Sequence, residues 1–339
     1  MAGALGVVGT HFGDHLMPPR EGDNENGFFE DLGVYDIHNR IFEQLGYTWD
    51  DLRVLPEARL DDAALKPHCD QLVELLRKRF LDQAVWAVKD PRVSLLVPLW
   101  VGVLERLGVT PHFVIMHRHP AEVAASLAHR NGFSREKSAR LWLTYQLMAE
   151  ASTRSFSRVF VSYEDLLANP VKELGCVAQE LGVSWPREAE IEEDKLRGFL
   201  LPELRHHEAG SEDLGFGRFD PWVLPYYRAL ASAQGVPGEA LQRSTDETRE
   251  QLRALDSRPD ELLVEHAAQL FYSLQGQLGK LEAQLGALAK TSEEGFKETA
   301  RWLKSQEAER AKQTQWLEAL DAQVDARTQW LQTQEEEGV

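Results

Sequence analysis

The chain has 339 residues, 43% of them hydrophobic, which is enough for a sizeable core in one α/β domain with an additional segment. A formal net charge of −18 argues against a sequence-independent nucleic-acid binder, because such proteins need a basic surface. The two cysteines, Cys69 and Cys176, match no metal-site spacing and favour a reducing compartment. Since there is no apolar run of about 18 residues and no signal peptide, we expect a cytoplasmic protein without a membrane span.

The first third of the chain predicts helices and one short strand. Residues 1–9 are typical of the end of a small-residue helix, and helical periodicity covers 35–46 and 62–80. A short apolar strand is predicted at 85–90, and a mostly buried helix follows at 93–108.

Strands and helices continue to alternate after residue 110. We predict a strand at 113–116, a helix from 120 and a second helix near 135–152. A strand with a turn follows at 158–166, and then a helix at 171–182 that Gly182 ends. Strands that alternate with helices indicate an α/β fold, in which a parallel sheet carries helices on both faces.

The chain changes character at about residue 258. Leucines are spaced as in a heptad seam, at 274, 278, 281, 285 and 288. After a break at 291–295, Trp-Leu pairs recur every 14 residues, at 302–303, 316–317 and 330–331. We therefore predict two parts, an α/β domain at 1–257 and a long helical segment at 258–339. That segment either self-associates as a coiled coil, which we favour, or folds back on the domain as an amphipathic helix.

Residues 113–130 carry the clearest chemical signal. Arg118 ends the predicted strand, and Ser126 lies eight residues later on the helix that Pro120 begins. A guanidinium at a strand end and a hydroxyl on the next helix can bind one phosphate together, helped by the amides of the helix N-terminus. The alternative interpretation is an ordinary βα unit with a surface arginine.

Three histidines crowd the same strand, at His112, His117 and His119. No cysteine or carboxylate accompanies them in the usual geometry of metal ligands. We therefore expect a solvated turn here and no metal cofactor.

Four features, in this order, resemble the sulfotransferases that use 3′-phosphoadenosine-5′-phosphosulfate (PAPS), and the bacterial, carbohydrate-type members above all. They are GDNENGFFED at 22–31, WAVKDPR at 86–92, the R-x7-S spacing of Arg118 and Ser126, and VSYEDLLANP at 161–170. The resemblance covers about residues 1–210. It implies a P-loop-NTPase-like parallel sheet flanked by helices. It also implies PAPS as the sulfuryl donor and a small-molecule or glycan hydroxyl as the acceptor, with a carbohydrate expected.

By this resemblance, Arg118 and Ser126 bind the 3′-phosphate of the donor, and Tyr163 lies near its adenine. Arg205 lies in LPELRHHEAG, which is similar to late stretches of the family that close over the nucleotide or the acceptor. An exposed loop is the alternative for Arg205.

The resemblance suggests Glu30 as the base that takes the acceptor's proton, and helix capping is the alternative role of this carboxylate. Lys89 ends a predicted strand at the ligand edge of the sheet, where it can stabilise the sulfate or bridging oxygens. Asp90 and Arg92 either hold the acceptor or pair with each other. Phenol- and steroid-type relatives carry a catalytic histidine in the segment that matches 89–92, and none is present here.

One family feature is missing from the printed sequence. The family binds the 5′-phosphosulfate with a strand and a loop similar to R-S-G-T-S, and this chain starts with what resembles the next helix. Either the natural protein is longer, which we favour, or the chain is a truncated or inactive relative. The chain as printed is therefore expected to bind PAPS poorly. The competing function is a non-catalytic oligomerising scaffold or a partner-docking module. In both cases we expect a homo-oligomer formed through the C-terminal helix.

Overall fold

The computed structural model describes residues 1–20, 27–187, 196, 215–233, 235, 237–256, 274, 277–279, 281–282, 284–285 and 293–336. The chain divides into two compact units, Met1–Leu252 and Arg253–Val339. The described part is mostly helical and contains one small parallel sheet, so it is α/β in a loose sense. None of the helices in these ranges is long and apolar enough to cross a membrane.

The helices before residue 257 are numbered α1 to α10. They span Ala2–Val7, Leu32–Leu45, Lys66–Arg79, Val93–Glu105, Pro120–Asn131, Arg135–Ser152, Tyr163–Ala168, Pro170–Leu181, Asp220–Ala231 and Glu239–Asp256. Short 3₁₀ turns cover Glu57–Asp61, Ala63–Leu65 and Gly217–Phe219. The predicted helices are confirmed, and the stop at Gly182 is confirmed by its left-handed backbone (φ 64°).

The sheet is smaller than the sequence predicts. The strands β1 (His112–His117) and β2 (Ser157–Ser162) are confirmed and pair in parallel along their whole length. The predicted strand at 85–90 is wrong as a regular strand, because only Trp86 forms a bridge, to His11. Gly9 and Gly13 flank His11 with φ values of 93° and 114°, which lie outside the extended region and end the pairing after one residue.

Two apolar clusters hold the first unit together. One forms between α2, α3 and α4 and includes Ile41, Leu72 and Leu96, all fully buried. The other packs α1 against β2 and α8 and includes residues from each of them, Leu5, Val161 and Leu174. This second cluster fixes α1 beside the sheet, which matters for the site described below.

A buried carboxylate connects α6, β2 and α10. Glu150 on α6 lies 2.9 Å from Nη2 of Arg158 on β2 and 2.6 Å from Nη2 of Arg154, and the Glu150 side chain is fully buried. Arg154 also reaches Asp246 on α10 at 2.8 Å. Arg158 is itself buried, so its charge depends on Glu150 for compensation.

Replacing Glu150 by Gln should lower the free energy of unfolding by about 3–5 kcal/mol, because the buried Arg158 loses its counter-charge. Chemical denaturation measures the difference. Asp246→Asn is the matched control, since it removes an exposed carboxylate from the same network and should cost at most about 1 kcal/mol. Equal losses in the two variants would contradict this role of Glu150.

The second unit contains the long helix α11 (Glu293–Glu336), which begins inside the predicted break at 291–295. At 44 residues it extends about 66 Å. Trp302, Leu303 and Trp316 of the 14-residue repeat are exposed, whereas the side chains of the third pair at 330–331 and residue Leu288 lie outside the described residues. Self-association through this helix stays a prediction.

Candidate functional site

Arg118 and Tyr163 meet at the carboxyl edge of the sheet. Arg118 directly follows β1 and Tyr163 directly follows β2, and the two strands keep their parallel register to their last residues. The guanidinium carbon of Arg118 lies 4.6 Å from the centroid of the Tyr163 ring. This stacking orients a cation beside an aromatic ring at the edge where open α/β sheets bind their ligands.

A buried carboxylate holds Arg118 from one side. Nε of Arg118 donates to Oε2 of Glu122 at 2.7 Å, and the Glu122 side chain is fully buried. The two terminal nitrogens of Arg118 donate to no acceptor in the part of the chain that the structure describes. Arg118 is therefore fixed in direction and can still offer two donors to an anion. The i, i+4 spacing of Arg118 and Glu122 was the available sequence signal for this pair, and we did not predict it.

Ser126 lies one helical turn beyond Glu122, on the same face of α5. Its side chain is partly buried, and among the described residues its hydroxyl has no hydrogen-bond partner, Arg118 included. Glu122 and Ser126 therefore lie on successive turns of α5, and Arg118 contacts the first of them.

A second cluster joins Glu30 to Lys89. Oε1 of the buried Glu30 lies 2.6 Å from Nζ of Lys89, which is partly exposed. Phe29, directly before Glu30, has a φ of 57°, a left-handed conformation that is strained for a bulky residue. The helix-capping role falls to the next residue, because Asp31 accepts from the backbone N–H groups of Gly33 and Val34 at the start of α2. The side chain of Glu30 therefore does not cap the helix and instead accepts a hydrogen bond from Lys89.

The start of α1 lies next to this pair. Burial and, to a smaller extent, the charge of Lys89 lower the pKa of the Met1 α-amino group to about 6. Phe29, directly before Glu30, packs beside Gly6 of α1, so this helix runs next to the Glu30–Lys89 pair.

Asp90 and Arg92 pair with each other, which is one of the two alternatives that the sequence left open. Nη2 of Arg92 lies 2.6 Å from Oδ2 of Asp90, and both side chains are buried. Oδ2 of Asp90 also accepts from Nδ1 of His38 at 2.8 Å. The other nitrogen of His38 accepts from Trp100 Nε1 at 2.9 Å. This closed network fixes the turn that directly follows Lys89.

Burial alone would raise the pKa of Asp90. The hydrogen bonds from His38 and Arg92, together with the charge of Arg92, outweigh burial and hold that pKa well below its ordinary value of 3.8. Asp90 therefore contributes stability that is present above about pH 4 and is lost as the pH falls toward its folded pKa.

The Asp90→Asn variant should lack this contribution. The difference in unfolding free energy between the wild type and Asp90→Asn should stay constant from pH 7 to about pH 4 and should shrink as the pH falls further to about 2. Denaturation at a series of pH values measures it. A difference that does not change over the acidic range would show that the Asp90 charge is not stabilised by the fold.

An aromatic corner lies beside Arg118. The ring of Tyr227 on α9 packs edge-on against His119, with the centroids 4.7 Å apart, and its hydroxyl donates to Oε2 of Glu164 at 3.3 Å. Burial and the neighbouring Glu164 raise the pKa of Tyr227 to about 12. Trp142 on α6 packs against the same ring and donates from Nε1 to the Arg118 backbone carbonyl at 3.2 Å. The sequence alone gave no spacing that would link Tyr227, about 110 residues away, to Arg118.

The expected solvated turn at the three histidines is wrong for His117, which is buried, whereas His112 is exposed. Within the described ranges, no group of three or more His, Cys, Asp or Glu side chains could hold a metal ion. Arg205 and residues 21–26, which include the start of the GDNENGFFED stretch, lie outside the described residues.

Comparisons with protein-family models, with curated proteins and with solved structures each found no match to this chain.

Proposed function

We propose that this chain is the catalytic domain of a PAPS-dependent sulfotransferase, which moves a sulfuryl group from PAPS to a hydroxyl of a carbohydrate. The observation that carries the proposal is Arg118. It is stacked on Tyr163 and anchored by Glu122 at the carboxyl edge of a parallel sheet, with two donors available to an anion. The carbohydrate acceptor rests on the family resemblance alone.

In this proposal, Arg118 and Ser126 bind the 3′-phosphate of the nucleotide. The two terminal nitrogens of Arg118 make charge-assisted hydrogen bonds to its oxygens, and the hydroxyl of Ser126 donates a further one. The amides at the start of α5, a helix of 12 residues, add a favourable dipole. The ring of Tyr163 lies against the nucleoside.

The Glu30–Lys89 pair performs the transfer. The acceptor oxygen attacks sulfur while the bond between sulfur and the 5′-phosphate oxygen breaks, so negative charge grows on the leaving phosphate. Lys89 turns toward that charge, and Glu30 takes the proton from the attacking hydroxyl. Without a donor bound, the two side chains neutralise each other at 2.6 Å.

The position of α1 supports the placement of the 5′-phosphosulfate at the Glu30–Lys89 pair. It also supports a P-loop-like arrangement. In the family that the sequence resembles, the 5′-phosphosulfate loop leads into the helix that corresponds to α1. In this structure α1 packs beside Phe29, the residue directly before Glu30. We assign Asp90 and Arg92 the role of positioning residues, because their bonds to each other and to His38 hold the turn after Lys89.

The Arg118→Ala variant should lose the preference of the protein for a 3′-phosphate. Wild-type protein should bind adenosine 3′,5′-bisphosphate more tightly than adenosine 5′-monophosphate, because only the first ligand reaches Arg118. Removing the charge-assisted bonds should reduce that ratio of affinities by about 10- to 100-fold. Titration calorimetry with both nucleotides measures it.

Arg130→Ala is the matched control, since it removes an exposed arginine from the same helix and should leave the ratio unchanged. An unchanged ratio in Arg118→Ala would refute the phosphate assignment. These titrations use the protein expressed from its full gene, and a wild type that binds neither nucleotide there would favour the scaffold alternative over the enzyme.

The Glu30→Gln variant should reduce sulfuryl transfer by about 100-fold or more, because the amide cannot accept the hydroxyl proton. The assay follows a radiolabelled sulfuryl group from PAPS to a panel of oligosaccharides, in the protein expressed from its full gene. Glu43→Gln, on the exposed face of α2, controls for the loss of one carboxylate. Transfer at the wild-type rate in Glu30→Gln would exclude Glu30 as the base.

A further inference from the structure

His117 is a buried imidazole whose hydrogen-bonding capacity is unused. It ends β1 directly before Arg118, and only 2% of its surface is exposed. Neither Nδ1 nor Nε2 has a hydrogen-bond partner among the described residues. Buried polar groups in native proteins are nearly always paired, so this side chain calls for a partner that the described side chains do not supply.

The neighbours of His117 are close but already engaged. The Tyr227 ring lies edge-on, with its centroid 6.4 Å away, and the hydroxyl of Tyr227 donates to Glu164. Ser162, the partner of His117 across the sheet, accepts from the backbone N–H of Asp165 at 3.4 Å. Asp165 acts on His117 through its charge alone.

The imidazole is neutral in this setting. Burial lowers the pKa of His117, and the opposing effect of the Asp165 charge is smaller. A neutral imidazole offers one donor and one acceptor. The partner that His117 lacks is therefore a group, or a pair of groups, that can accept one hydrogen bond and donate another.

The charge of the surroundings selects between the parts of a nucleotide. Oε2 of Glu164 lies 3.3 Å from the hydroxyl of Tyr227, and the charge of Asp165 acts on His117, so two carboxylates lie at this corner in addition to Glu122, which pairs with Arg118. A phosphate on the His117 side would meet those charges, whereas a neutral hydroxyl or ring nitrogen would not.

We infer that His117 hydrogen-bonds the neutral nucleoside part of the bound donor, through a ribose hydroxyl or a base nitrogen, while Arg118 holds the phosphate. This inference rests on the proposed function and adds a contact that neither the motif spacing nor the resemblance indicated. Because both nitrogens are closed off from solvent, binding has to displace a neighbouring side chain. The partly buried ring of Tyr227 packs edge-on against His117, so it is the side chain that we expect to move.

The His117→Leu variant tests the inference by two opposite effects. Leucine is of similar size and has no polar atoms, so the unligated protein should gain stability, with a melting temperature about 2–4 °C higher. Its affinity for adenosine 3′,5′-bisphosphate should fall about tenfold. A histidine that only packs in the core would leave the affinity for the bisphosphate unchanged when replaced. His112→Leu, at the exposed opposite end of the same strand, should change neither.

A second measurement uses the wild-type protein. The imidazole nitrogens of His117 should shift in the nitrogen NMR spectrum when the bisphosphate is added, as they do when a hydrogen bond forms. If the bisphosphate binds and neither the spectrum nor the affinity of His117→Leu responds, the inference fails and the proposed function stands. A lower melting temperature together with a lower affinity in that variant also overturns it. If the wild type does not bind the bisphosphate, both fail.

Discussion

The parallel pairing of β1 and β2 is the constraint on which the candidate site depends. Because the two strands stay in register to their ends, Arg118 and Tyr163 leave the sheet side by side and stack. Side chains alternate along a strand, so a slip of one residue would send these two to opposite faces. Arg158 on β2 donates to the buried Glu150 of α6, which ties the strand to that helix. The same helix supplies Trp142, which donates to the backbone carbonyl of Arg118. The pairing, the ionic network and the site therefore depend on one another.

The chain gives each cation of the site its own buried carboxylate. Glu122 partners Arg118, Glu30 partners Lys89, and Asp90 partners Arg92. The protein has a net charge of −18 and each of these cations is neutralised by its partner, so neither the whole chain nor the site attracts anions through an excess of positive charge. Affinity for a phosphate has to come from directed donors, and direction is what a guanidinium anchored at Nε and stacked on a ring provides. Under the proposed function, this arrangement lets an acidic protein bind an anionic nucleotide with few basic residues.

The sequence predicted the features that depend on local chemistry. Apolar runs and caps located β1, β2 and most helices, and Arg118 directly follows β1 as predicted. The extent of the sheet could not be predicted in the same way, because it depends on Gly9 and Gly13, whose backbone angles only the folded chain determines. The contacts of Tyr227 and the burial of His117 come from packing of α9, which is far away in sequence. Local patterns carry no information on such distant contacts.

Hydrogen-bond satisfaction distinguishes two buried histidines of the first unit. His38 is buried and has both nitrogens engaged, one with Asp90 and one with Trp100, so its network is complete without any ligand. His117 is equally buried and has neither nitrogen engaged among the described residues. An unmet buried imidazole costs stability, because its polar atoms lose their bonds to water without a replacement. Under the proposed function, the partner of His117 arrives with the ligand, at the same edge where Arg118 keeps two donor nitrogens available.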